Sequence, residues 1–362
     1  MTRTELLKKL DALVGAGVAA LLPPPEKKLN LTSFQTALVI RPGGLGDALL
    51  LAPAITALAR HYPALRITVL AEKRNAAAFS LLPEVSELLL YDTVAGFAKV
   101  VSRKFDLVID TEQWHRLSAA VARLAGRGEI IGFATNERSR LFTSTINYSQ
   151  DAYEAESFLQ LLSPLGINEK FNFESQFLQL PAGASAELAA KGYQFALPYV
   201  SMFPGASIEE RKWGGERFKA LVRRLETEGV RSVIVGGKDD KCLADEIAAG
   251  TGAVSVAGVL SLAGTAAVIK KSALLVSGDS GILHLGVGLG RPTVSLFGSG
   301  IARKWAPRGT AHRVINKQFD CSPCTLFGTT PPCPHGVRCL AEISVDEVFE
   351  LAKTALTEND PG

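Results

Sequence analysis

What most limits the folds open to this chain is a rhythm: short apolar, β-branched runs alternate with segments of helical spacing, fade, and then alternate again. In the first half Ala37–Ile40, Leu65–Leu70, Phe105–Asp110 (FDLVID) and Ile130–Phe133 read as strands, with helical patterns between them. The rhythm weakens around residues 181–197, an alanine-rich helix and a Leu-Pro step, and restarts with strands at Tyr199–Phe203, Val230–Val235, Ala273–Ser277 and Thr293–Phe297. Near-continuous apolar strands separated by helices predict mostly parallel sheets covered on both faces. With 362 residues, more than one core supports, the expectation is an α/β chain with two doubly wound, Rossmann-like domains in series. The expected division is 1–35 for an amphipathic helix and the linker Pro23–Pro25, 36–185 for the first domain, 186–342 for the second, and 343–362 for a closing helix and tail. Ser344 with Glu347 three residues on marks the start of that helix as a capping box.

Composition narrows the function classes. Hydrophobic residues make up 47% and charged residues 21%, which excludes a largely disordered chain, and a net charge of +3 gives no field that would favour nucleic acid as a partner. No apolar run reaches the length of a membrane span, and no small-residue cleavage pattern precedes Pro23, so the expected location is the cytoplasm. The first helix carries Leu6, Leu7, Leu10, Leu13, Val14 and Val18 with Lys8 and Lys9 opposite. That face suits either ordinary docking or a membrane surface.

The candidate sites lie where strands end. LVIRPGGLGD, from Leu38 to Asp47, reads as strand, glycine turn and helix start. Its spacing is not G-x-G-x-x-G, so as a phosphate loop it is a weak signal, but Gly43, Gly44 and Gly46 permit close backbone approach. SGDSGILHLGVGLGRPTVSLFG, from Ser277 to Gly298, sets Asp279, Ser280 and Gly281 between a strand and a helix, with His284 one turn inside. Helix N-terminal N–H groups, a hydroxyl and an imidazole suit a diphosphate; the same residues also read as helix caps and a core histidine. FPGASIEERKW, from Phe203 to Trp213, delivers Ser207, Arg211 and Lys212, a fork and a point charge suited to phosphate, or else a solvated loop anchored by Trp213. VGGKDDK, at Val235–Lys241, offers Asp240 as an acceptor for nucleoside donors, or as a helix start.

RPGGLGDALLLAPAITAL, PGAS followed by RKW, VGGKDD, and SGDSGILHL followed by RPTVSLFG occur in an order and spacing that resembles glycosyltransferase family 9, the ADP-heptose:lipopolysaccharide heptosyltransferases, over roughly residues 36–345. The resemblance implies the GT-B fold, two facing Rossmann-like domains with an active-site cleft between them, and inverting transfer of heptose or a related sugar. ADP-sugar would be the donor substrate, with no further cofactor required. The acceptor would be a lipopolysaccharide core or similar glycolipid, which implies an enzyme peripheral to the cytoplasmic face of the inner membrane. Carried over by position, Asp47 is the general base; Ser207, Arg211, Ser280, Gly281 and His284 surround the diphosphate; Asp279 lies in the sugar-nucleotide pocket; and Asp240 lies near the nucleoside. The chain departs from the family in having Arg211 where lysine is usual two places before the tryptophan, and Ala206–Ser207 in place of a hydroxyl pair.

On the acceptor side, Gly44 in the glycine loop and Gln113, His115 and Arg116 beyond strand Phe105–Asp110 are the candidates, with Arg138 and Arg140 as further cations for an acidic acceptor. No D-x-D motif is present, and no metal is assigned to the site. Cys321, Cys324, Cys333 and Cys339, with His335 nearby, leave open a structural zinc or plain reduced thiols. The alternatives to transfer are a GT-B epimerase or hydrolase acting on the donor alone, and a non-catalytic nucleotide or lipid-surface binding protein.

Overall fold

A computed structural model describes residues 11–25, 33–195, 198–326 and 328–358. The chain divides into two compact units, one ending at Phe171 and the other beginning at Asn172.

In the first unit β1 (Thr36–Arg41), β2 (Arg66–Ala71), β3 (Val85–Leu90), β4 (Phe105–Asp110), β5 (Gly126–Phe133) and β6 (Ser144–Ile146) form one parallel sheet in the order β3-β2-β1-β4-β5-β6. In the second, β7 (Tyr199–Phe203), β8 (Arg231–Ile234), β9 (Val254–Ser255), β10 (Leu274–Gly278), β11 (Thr293–Phe297) and β12 (His312–Asn316) give β12-β11-β10-β7-β8-β9. Renumbered within its unit, each sheet runs 3-2-1-4-5-6, the order of a dinucleotide-binding fold. The central strands are helix-covered on both faces, which their sequence anticipates: Ala37, Leu38, Val39 and Ile40 are all 2% exposed or less.

The order in which strands are added reverses at one place in each sheet, between β1 and β4 in the first unit and between β7 and β10 in the second. Loops leaving the carboxyl ends of those pairs diverge and leave a crevice. The Leu38–Asp47 stretch and the Asp110–Arg116 segment meet at the first switch point, and Phe203–Trp213 and Gly278–His284 meet at the second.

Several elements differ from the sequence expectation. Residues 172–195 pack with the second unit: Phe177 and Leu178 N–H groups bond Gly288 O, both at 2.9 Å, and Glu187, in the helix Ala184–Ala190, accepts from Ser261 N–H at 2.8 Å. The chain therefore crosses ahead of the alanine-rich helix. The helical pattern expected after the second strand is met, over residues 74–82, only by the 3-10 turn Ala76–Leu81. The helix Val94–Ser102 and the edge strands β6 and β12 have no counterpart in the sequence reading.

Of the first helix, Leu6–Leu10 lie outside the described residues, as do the side chain of Leu13 and the tail from 359. The part described docks on the first unit: Ala19 is fully buried, Asp11 accepts from Arg116 and Leu117 N–H groups at 3.0 and 2.8 Å, and Arg123 Nε donates to Pro23 O at 2.9 Å. Among the described residues no helix is long and apolar enough to cross a membrane. The closing helix Val345–Glu358 starts as its capping box requires, Glu347 N–H donating to Ser344 Oγ at 3.2 Å and Ser344 N–H to Glu347 Oε2 at 2.8 Å.

Candidate active site

At the first switch point a turn of helix, Leu45–Leu50, begins directly after the glycine loop. Asp47 occupies its first turn, half-buried, with the Gly44 N–H bonded to its carboxylate. Burial pushes the Asp47 carboxyl above the ordinary carboxylate range; Arg41 opposes that and Glu112 adds to it. Gly44 is exposed at the loop's edge.

Beneath the loop lies a network of buried charge whose members sequence reasoning largely missed. Arg41, the last residue of β1, is 2% exposed; it donates to Pro42 O at 2.6 Å, to Thr111 O at 3.0 Å and to Glu112 Oε2 at 3.3 Å. Glu112 in turn accepts Gln113 and Trp114 N–H groups at 2.9 and 3.2 Å. Burial would raise the Glu112 carboxyl, but Arg41, His115, Arg138 and the Trp114 N–H outweigh it and hold the group below its usual range. Asp110, fully buried, pairs with Arg138 Nη2 at 2.5 Å and accepts from Ser118 Oγ at 2.9 Å.

This network corrects part of the acceptor-side expectation. Arg138 is 0% exposed and donates to Asp110 and the Glu112 carbonyl, so it ties the loop to the end of β4 instead of standing open to an acceptor. Arg140 donates to the Ala19 and Ala20 carbonyls at 2.8 and 2.6 Å, closing the end of the first helix. Gln113 turns inward, its amide donating to buried Glu154 Oε1 at 2.5 Å, while Tyr148 supplies the other oxygen at 2.9 Å. Arg116 forms a two-pronged pair with Glu137, 2.9 and 2.8 Å, and His115 stands 3.6 Å from Asp11 on the helix Arg116–Ala125. The signal for Arg41 and Glu112 was present: charged residues ending or following apolar strands at a switch point.

The second switch point is built otherwise. Trp213, 2% exposed, is fixed by its Nε1–H to Ile343 O at 2.9 Å and by an edge contact with Phe218, so the loop ahead of it is anchored at one end. Ser299 Oγ donates to Glu210 O at 3.1 Å and steadies the other side. Arg211, 22% exposed, then reaches Asp279 at 3.3 Å, while its Nε is buried with no hydrogen-bond partner among the described residues. Gly300 leaves the space Asp279 occupies, since a β-carbon there would lie 2.0 Å from its Oδ2.

Ser280 caps the helix Gly281–Gly288, its Oγ accepting from Leu283 N–H at 3.2 Å, and Gly281 opens the first turn half-exposed. His284 is 2% exposed, with Nδ1 unpartnered among the described residues. Burial first and Arg211 second push its pKa down to about 3, so it brings a neutral imidazole, not a charge. Ser207 is exposed, and Lys212 pairs with Glu209. Asp240 is packed over the glycine two residues beyond β7: a β-carbon at Gly205 would lie 2.1 Å from its Oδ1. Burial raises its carboxyl despite the Gly237 N–H at 2.8 Å, with Asp239 adding to the rise and Lys212 opposing it. The phosphate and nucleoside motifs, separate in sequence, thus share one sheet end.

The five cysteines are free thiols, and among the described residues no three metal-ligating side chains are grouped to hold an ion. The loop that carries Cys321, Cys324 and Cys333 is tied to the site all the same: Cys324 and Thr325 N–H groups bond Ser299 O at 3.1 and 3.0 Å.

Two Rossmann-like units with charged loops at both switch points have the architecture of the GT-B fold. The profile of glycosyltransferase family 9 (heptosyltransferase) matches residues 94–331, and the chain belongs to that family. It is 26% identical over 286 residues to lipopolysaccharide heptosyltransferase 3 of Escherichia coli, covering 72% of this chain and 83% of that one. Two solved structures share the fold. The family 9 glycosyltransferase of Veillonella parvula superposes with a TM-score of 0.75 at 20% identity, over 92% of this chain and all of that one. The E. coli ADP-heptose lps heptosyltransferase II gives 0.72 at 20% identity, over 89% and 99%.

Proposed function

We propose that this glycosyltransferase moves heptose from ADP-heptose to a lipopolysaccharide core or similar glycolipid acceptor, with inversion at the anomeric carbon. The observation that carries the reading is Arg211 at the second switch point: a guanidinium beside the start of the helix Gly281–Gly288, held by one carboxylate and left with an unmatched buried donor. An arginine fork and helix N-terminal N–H groups together suit a diphosphate. The names of the relatives, heptosyltransferases of lipopolysaccharide, supply the sugar and the acceptor class.

In the reaction Asp47 takes the proton of the acceptor hydroxyl as its oxygen attacks the anomeric carbon. The sugar–phosphate bond breaks on the opposite face, and its electron pair leaves with ADP. Arg211 and the helix N-terminus meet the charge that develops on the leaving diphosphate. Neutral His284 adds a polar contact and no charge. Asp240 accepts from the nucleoside.

ADP release from ADP-heptose, measured with and without a deep-truncated lipopolysaccharide, tests the reading. Release that depends on the acceptor is the expected result. Equal release in its absence would make the protein a donor hydrolase or epimerase instead, and no release with ADP-heptose but turnover of another ADP-sugar would replace heptose in the assignment.

A further inference from the structure

Arg41 is unusually well fixed for a residue with no assigned task. All three of its nitrogens are used: Nε on Pro42 O, Nη1 on Thr111 O, and Nη2 on Glu112. Its own carbonyl accepts from Asn75 Nδ2 at 3.0 Å, and Asn75 is fully buried. The guanidinium bridges the ends of β1 and β4 across the switch point, with the Phe158 ring 5.7 Å beneath it. Fixed in this way, it sits under the glycine loop and faces Asp47. The measure of that closeness is Gly43, whose φ is +112°. A β-carbon built there would lie 3.0 Å from Arg41 Nη2 and 3.8 Å from Asp47 Oδ2, so the two groups face one another across the space a side chain would fill.

Taking Asp47 as the base, as proposed above, we infer that Arg41 and Glu112 form a rigid positioning pair for it: Arg41 holds the carboxylate in place and in its charged form from below, and Glu112 limits how strongly it does so. The Arg41 nitrogens donate to Pro42, Thr111 and Glu112, so its influence on Asp47 is that of a fixed charge acting over a short distance in a poorly solvated place. The other groups within reach are Arg74 from the loop after β2, already bonded to Glu72 at 2.5 Å, and Tyr148, while Glu154 and Asp110 act on Arg41 itself. Asp110 answers Arg138, and Glu154 is served by Gln113 and Tyr148, so Asp47 is the carboxylate left to share the Arg41–Glu112 field.

The test is the pH dependence of kcat/KM for the acceptor in Arg41→Gln, Arg41→Lys and Glu112→Gln. Without Arg41 the carboxylate ionises at higher pH, so the acid limb of the profile moves up, by about one unit or more for a charge at this range. Without the Glu112 charge it moves down. Arg41→Lys keeps the charge and loses the fork; its limb stays near the wild-type position while kcat falls. A fold that is merely weakened lowers turnover and moves no limb, and certainly not in opposite directions. If Arg41→Gln does not fold, Glu112→Gln, nearly isosteric, decides: a lowered limb supports the pair and an unmoved one overturns it. Asp47→Asn separates the two claims. Normal turnover in that variant removes the base itself, whereas an Asp47-dependent enzyme with an unmoved limb in Arg41 and Glu112 variants overturns only the positioning pair.

Discussion

At the first switch point each buried guanidinium has its answer within the chain: Arg138 meets Asp110, and Arg41 meets Glu112, both cations being 2% exposed or less. At the second, Arg211 is 22% exposed and stands 3.3 Å from Asp279; its Nε, like that of Arg138, has no hydrogen-bond partner among the described residues, but its guanidinium, unlike Arg138's, reaches solvent. The strand order is the same in both units. What differs is for whom the charge is arranged. The first unit buries its cations against its own carboxylates and so fixes one acidic side chain in a stiff setting; the second leaves its guanidinium within reach of solvent, which is what a guest anion requires.

The sharpest way to break that contrast is to remove its acidic member. Asp47→Asn should lower kcat by about 10²–10⁴-fold, the usual worth of a positioned base, with the dissociation constant for ADP-sugar within about twofold of wild type. Calorimetric titration beside a turnover assay shows both; a matching loss of donor affinity would mean that the first unit also serves the leaving group.

A second test trades the arginines. Arg138→Met leaves Asp110 buried without its cation, and denaturant unfolding should show a loss of about 3–5 kcal/mol. Arg211→Met should cost less stability than Arg138→Met, since its guanidinium is partly exposed and not fully buried, while ADP binding weakens by about 10- to 100-fold as charged hydrogen bonds to phosphate disappear. If Arg138→Met proved stable, or Arg211→Met bound ADP normally, the two sites would not divide the work as described.

The contrast also explains what the sequence could and could not disclose. The central strands are legible because parallel strands buried on both faces are apolar throughout; β4, β7 and β11 begin and end where their composition says. Edge strands β6 (STI) and β12 (HRVIN) are short or polar and carry no such signal. The helix Val94–Ser102 contains Gly96, which reads as a break until Thr93 is seen to cap it, Oγ1 accepting from Gly96 N–H at 3.1 Å. The donor motifs are legible for a related reason: each is a local strand–loop–helix unit, complete within a dozen residues. The Arg41–Glu112 pair joins residues 71 apart, and nothing local says that β1 lies beside β4. Arg138 misleads in the same way, because an arginine in a polar loop looks solvated until Asp110, 28 positions away, is placed against it.

The smallest expected effect concerns an imidazole at the second site that stays uncharged. His284, buried and close to Arg211, has its pKa pushed down to about 3. In the unfolded chain it titrates near 6.5, so below that pH the unfolded state takes up a proton the folded state refuses. Its contribution is therefore complete above pH 6.5 and is lost progressively as pH falls toward 3. Going from pH 8 to 5.5, wild-type protein should lose about 1 kcal/mol more unfolding free energy than His284→Gln. His312, pushed down to about 4 by burial, shares the sign and persists in both proteins, so the variant keeps part of the slope. Equal slopes would mean that His284 takes up its proton in the folded enzyme as readily as in the unfolded chain, and below about pH 6.5 the second site would then hold a second cation where the geometry provides a neutral ring.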